Sequence, residues 1–130
     1  MNNQVLHDCL HLALKGNLSF PETIQRMAAE DVERYRADLV RMEKTHYSNH
    51  DEAHLEPIPL AGAPAIAHNL DIPAVKEAIS VIQQKQIDYA EFLRRIMAAG
   101  VADYSVWLRG RKAMYFGRTG DFHIENFPGK

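Results

Sequence analysis

An α+β fold with an antiparallel sheet, written twice along the chain as a tandem α-α-β(-β-β) unit, is what this sequence predicts. Three observations predict it. The chain matches itself without a gap at an offset of 69 positions: Ser19-Phe20-Pro21-Glu22 falls on Asp88-Tyr89-Ala90-Glu91, Tyr35 on Tyr104, and Leu39 on Leu108. The same register carries His54-Leu55-Glu56 onto His123-Ile124-Glu125 and Pro59 onto Pro128. Within each half, helical apolar spacing gives way to strand-like alternation. Finally, 130 residues suffice to bury roughly two-thirds of the unfolded surface, whereas one half is too small to cover its own elements. The expectation is a single domain, 1–130, of two repeats (about 1–60 and 70–130) around a joint core.

The first helix of each unit is an apolar stripe: Val5, Cys9, Leu12 and Ala13 in one, Val75, Ala78, Ile79 and Ile82 in the other. Asp71 ahead of Pro73 marks the start of the latter, because proline is tolerated in a first turn. The second helices begin at two capping boxes in one register, Ser19 with Glu22 and Asp88 with Glu91. Phe20, Ile24, Met27 and Ala28 give the buried face of one, and Tyr89, Leu93, Ile96 and Met97 that of the other. Gly100 supplies a left-handed stop, where the first unit offers Asp31 and so predicts a looser or differently capped end. Strands follow at Tyr104–Leu108, Ala113–Phe116 and Phe122–Phe127, with turns at Gly110-Arg111 and at Arg118 to Asp121. The first unit repeats the plan at Tyr35–Val40, Thr45–Tyr47 and Leu55–Ile58, with a glycine-free turn near Met42-Glu43. Between the units the proline-rich run from Pro57 to Pro64 reads as a crossover, not a tether.

Composition narrows the setting. A single cysteine, Cys9, excludes an internal disulfide framework and suits a reducing compartment. No apolar run reaches membrane-spanning length and the first residues lack a basic leader, so a cytoplasmic protein is expected. The net charge of −2 names no partner, but the halves differ. Residues 1–69 hold 6 Lys/Arg against 10 Asp/Glu, and residues 70–130 hold 9 against 7. Six of the seven histidines lie in the first half.

The stretches FPETIQRMAAEDVERYRADLVRMEKTHY and IDYAEFLRRIMAAGVADYSVWLRGRKAMYFGRTGDFHIE resemble the YdfO-like family of small bacterial proteins of unknown function, often found in prophages. The resemblance spans nearly the whole chain. It implies a compact α+β domain in bacterial cytosol, of phage-derived ancestry, and it brings no catalytic residues with it.

Two constellations carry chemistry. The repeated His-x-Glu, His54 with Glu56 and His123 with Glu125, places each pair on one face of a strand. If a pseudo-twofold axis ran near those strands, two imidazoles and two carboxylates would converge to hold a divalent metal or act as paired acid and base in a small hydrolase or lyase. The competing view is that a copied unit simply carries both pairs along without a common destination. Trp107, Arg109, Arg111, Lys112, Tyr115 and Arg118 make a basic, aromatic hairpin (107–118) suited to a phosphate backbone or to a protein partner. The acidic first half and the lack of any groove-reading motif weigh against nucleic acid. His7 and His11 flank the first helix, and His50 reads as a solvated loop residue. No cofactor motif is present. The leading expectation is therefore an accessory or regulatory module, non-enzymatic, acting through a protein partner or as a homo-oligomer.

Overall fold

The computed structural model describes residues 1–128; the last two residues of the expected second unit, 129–130, lie outside the described residues. The elements run α1 (Asn3–Leu14), α2 (Phe20–Ala29), β1 (Val32–Asp38), β2 (Glu43–Ser48) and β3 (Ala53–Pro57). They continue as α3 (Ile72–Gln83), α4 (Tyr89–Ala98), β4 (Asp103–Trp107), β5 (Lys112–Phe116) and β6 (Phe122–Asn126). Adding 69 to the bounds of α1, α2 and β3 reproduces those of α3, α4 and β6.

One antiparallel sheet of six strands, in the order β3-β2-β1-β4-β5-β6, holds both halves. Its central pair is β1 with β4, where Arg36 faces Ser105, the residue 69 positions further on. An antiparallel pair centred on counterparts has a local two-fold axis through its midpoint. The flanking bonds obey it: Leu39 N–H donates to the Ala102 carbonyl and Leu108 N–H to that of Glu33, both at 2.9 Å. All four helices pack on one face of the sheet. Both halves share the resulting core, from Leu6, Leu10 and Met27 to Leu93, Ile96 and Tyr104. The opposite face is left open, with Leu55, Phe122 and Ile124 among its exposed apolar residues. Among the described residues no helix is long and apolar enough to cross a membrane.

Helix starts follow the local chemistry. Asn2, Ser19, Asp71 and Asp88 each accept backbone N–H bonds in the first turn. Only Ser19 completes a capping box, its N–H donating to Glu22 Oε1 at 2.8 Å. Glu91 does not reach back as expected, because Arg94 and Arg95 each hold one of its carboxylate oxygens at 3.0 Å.

The helix end at Asp31 is differently capped, and no looser for it. Asp31 adopts the left-handed conformation (φ 69°), as Gly100 does (φ 96°). Asp tolerates that region, and its carboxylate is tied to Asn49 and His50 at 2.8 and 2.6 Å. Glycine is required at 100 for another reason: a Cβ there would meet the Asn69 carbonyl oxygen at 2.3 Å. In the first hairpins, Met42 and Arg111 take the same strained position (φ 54° and 56°), so the missing glycine near 42 changes nothing. The connection is held down, not free: Ile66 is buried, Ala67 N–H donates to the Met97 carbonyl, and Arg94 and Arg118 donate to the carbonyls of Ala61 and Ile66.

Candidate ligand site

The two His-x-Glu pairs sit on β3 and β6, the opposite edges of the sheet. Five strand spacings separate them, roughly 24 Å at ~4.8 Å each. The expected convergence of His54, Glu56, His123 and Glu125 is therefore not formed; the two-fold axis runs through the sheet centre, not its edges. Within each pair the partners do meet, His54 Nε2 with Glu56 Oε2 at 3.2 Å and His123 Nε2 with Glu125 Oε1 at 2.9 Å. Glu56 is buried, whereas Glu125 keeps partial access to solvent.

The hairpin of residues 107–118 does not present its six residues as one surface. Tyr115 alternates with Met114 and Phe116 and so points into the core, with Ala113, instead of outward. Trp107 is half-buried on the outer face while Leu108 is buried, as the alternation demands. Arg111 lies over the Phe127 ring, Arg109 donates to Asn49 Oδ1, and Arg118 serves the connection; Lys112 is exposed.

A third arrangement escaped the sequence reading. Between the helices and the inward face of the sheet lies a cavity of about 380 Å³, in the size range of small-molecule sites. Four tyrosines line it, Tyr35, Tyr89, Tyr104 and Tyr115, together with the amine of Lys44. Strand β2 alternates Lys44, His46 and Ser48 inward, and Lys44 is only 3% exposed. Its Nζ lies 4.5 Å from the centre of the Tyr35 ring and 4.3 Å from that of Tyr89, a cation held by aromatic faces in place of a carboxylate. Burial pulls its pKa down to about 7, against the weaker opposing pull of Cys9 and Glu56. Near neutrality the amine therefore divides between charged and free forms.

The phenols complete the lining. Tyr104 stacks on Tyr115 at 5.1 Å, and the hydroxyls of Tyr89 and Tyr104 share a hydrogen bond. Burial raises the pKa of all four tyrosines, so each keeps its proton as a donor. Beside Lys44, His46 is fully buried, and neither ring nitrogen finds a hydrogen-bond partner among the described residues. Burial first, then the charges of Lys44 and His54, pull its pKa down to about 3, so it stays neutral. Such a chamber suits a ligand with an apolar or aromatic body and one oxygen-bearing head, anionic or carbonyl. The signal that finds it in sequence is the offset itself: Lys44 falls on Ala113 and His46 on Tyr115, inward positions of the better-marked second hairpin.

A family model described as "Protein of unknown function (DUF1398)" matches residues 9–126. No curated protein matches the chain. The chain belongs to that uncharacterised family.

Proposed function

We propose that this chain is a small-ligand-binding accessory protein, non-enzymatic, that takes a hydrophobic carboxylate or similar oxyanion between its helices and sheet. The observation that carries the reading is Lys44: a buried amine at the wall of a tyrosine-lined cavity, with aromatic faces where an acid would otherwise sit. A cation kept there without an ion pair costs stability, and a bound anion offsets that cost. The ancestry proposed with it is a YdfO-like, prophage-derived protein of bacterial cytosol that arose by tandem duplication. Four pairs of positive-φ residues at an offset of 69, among them Asp31 with Gly100 and Asp51 with Gly120, support the duplication.

The test is fluorescence of anilinonaphthalene sulfonate on the folded protein, with octanoate and phenylacetate as competitors. Wild type is expected to bind the dye and release it to the carboxylates, and Lys44→Met to lose affinity at least tenfold. The same variant gains about 1–3 kcal/mol of stability at pH 7, since a buried unpaired charge is removed. The sign in pH follows from a folded pKa of about 7 below the ordinary 10.5. As pH falls through that window the unfolded chain takes the proton first, so wild type closes the gap to Lys44→Met as pH rises. Equal binding by both proteins would remove the reading.

A second reading rests on the open sheet face. Phe122 and Ile124, two residues apart on β6, are 49% and 43% exposed there with the Phe116 ring beside Phe122, and such an apolar edge suits contact with a protein partner. It agrees with an accessory role in which ligand occupancy is communicated through the sheet. Light scattering across a concentration series, with Ile124→Glu as the comparison, checks whether that partner is a second copy.

A further inference from the structure

The cavity leaves the buried Glu56 unexplained, and its surroundings supply the explanation. Glu56 is 5% exposed, yet it is ringed by imidazoles and not by a lysine or arginine ion pair. On one side, His7 Nδ1 of α1 lies 2.9 Å from Glu56 Oε1. On the other, His54 Nε2 lies 3.2 Å from Oε2. His11 follows His7 by four residues, so the two rings share one helix face, with centroids 4.1 Å apart. One ligand atom from each of His7, His11 and Glu56 can be drawn with all of them within 4.8 Å of one another. We propose that His7, His11 and Glu56 bind a divalent cation of the zinc class, with His54 orienting the carboxylate from behind.

Two imidazoles on successive helical turns plus one carboxylate form a donor set suited to zinc, with ligand bonds of about 2.0–2.2 Å. The donor atoms already lie within 4.8 Å of one another, and His7 is half-exposed on the outer flank of α1. The exposed side of His7 leaves a fourth position for water. His54 fills the supporting role that ligating carboxylates ordinarily receive.

The second unit gives an internal contrast. At the matching positions it keeps His123 and Glu125 but has Lys76 and Ser80 in place of the helical histidines. A carboxylate and one imidazole remain there, short of a site. The proposal thus accounts for why Glu56 is buried among histidines while Glu125 is half-exposed, and it needs no convergence across the sheet.

The experiment is titration of the metal-free full-length protein with cobalt(II), followed by its visible d–d absorption and then by displacement with zinc. Expected is a single equivalent with the intense spectrum of a four-coordinate site, and a melting temperature raised by zinc. His7→Lys and His11→Ser, which install the second unit's residues, are expected to abolish the spectrum while leaving the circular dichroism unchanged. His54→Ala is expected to weaken binding about 10–100-fold. His50→Ala and His123→Ala are expected to bind as wild type does. Absence of the spectrum in wild type overturns the proposal. So does a spectrum that survives His11→Ser, or one lost in His123→Ala. Dye binding at Lys44 is read separately, so failure here leaves the cavity reading untouched.

Discussion

The two halves of the sheet offer nearly the same backbone to different chemistry. On the inward face the first half presents Lys44, His46 and Ser48, where the second presents Ala113, Tyr115 and Gly117. The helices above differ to match. In α4, Phe92, Leu93, Ile96 and Met97 are all buried, but their counterparts in α2 contribute only Thr23 and Met27 to the fully buried set. The second half is packed tightly beneath its helix, whereas the first sets polar side chains beneath a shallower one; the chamber runs across both, Lys44 and Tyr35 coming from the first half and Tyr89, Tyr104 and Tyr115 from the second. Polar groups that cost stability have gathered on one side of a symmetric scaffold, and the other side supplies the rigidity that tolerates them. That division is what one expects when a site is added to a fold that does not need it.

Paired substitutions test the division directly. The largest difference is expected in the helix layer. Leu93→Ala empties a fully buried position and is expected to cost about 2–5 kcal/mol in a denaturant melt. Ile24→Ala, its counterpart on the half-buried face of α2, is expected to cost under half of that. Equal losses would mean that α2 packs as tightly as α4 and that the first half is not the softer side.

Next comes acid sensitivity. With the His46 pKa near 3 in the folded protein and 6.5 as its ordinary value, the unfolded chain binds the proton below pH 6.5 and the native state does not. Stability therefore falls on acidification, by about 2 kcal/mol at pH 5 from this residue alone. His46→Phe is expected to flatten that limb between pH 7 and 5. Melts of wild type and variant that run parallel over this range would show that His46 takes its proton while folded.

The smallest effects separate the caps. Ser19→Ala and Asp88→Ala are each expected to cost about 1 kcal/mol. Glu22→Ala, which opens the capping box, is expected to weaken its helix by a few tenths of a kcal/mol through the cap. Glu91→Ala leaves the Asp88 bond in place, because that carboxylate is engaged with Arg94 and Arg95. A comparison of the two glutamate variants at high salt isolates the capping contribution from the screened ion pairs.

Much of the architecture was legible because it is written in local signals. Helix caps, apolar stripes and turn positions depend on neighbours within a few residues, and an ungapped offset doubles every such signal. Strand order is not local. Nothing near His54 or His123 says that β1 and β4 pair at the centre and send both His-x-Glu strands to the edges. Face assignment failed for a related reason. Tyr115 stands beside basic residues in sequence, although the two-residue period of a strand places it with Ala113. Lys44, between Glu43 and Thr45, reads as a solvated strand residue until the first hairpin is laid over the second. Asp31 shows the converse: a left-handed turn does not require glycine where the side chain finds partners, as Asp31 does in Asn49 and His50, and Gly100 is needed because the connection passes directly over it.

The central pairing of β1 with β4 also sets an order in time. Seventy or so residues of chain separate the two strands, so the sheet cannot close while the protein is half made. A ribosome adding about 5–20 residues per second leaves β1 without its partner for several seconds after it emerges. During that interval its free edge is open to any strand nearby, including the β1 of a neighbouring nascent chain. In the finished sheet Arg36 faces Ser105 and is bonded to Asp103 at 3.1 Å, whereas two β1 strands meeting in the same register would set Arg36 against Arg36 with Arg34 opposite Asp38 on either side. Two opposite-charge pairs outnumber the one like-charge pair, so the free edge of β1 invites the wrong closure until the right strand arrives.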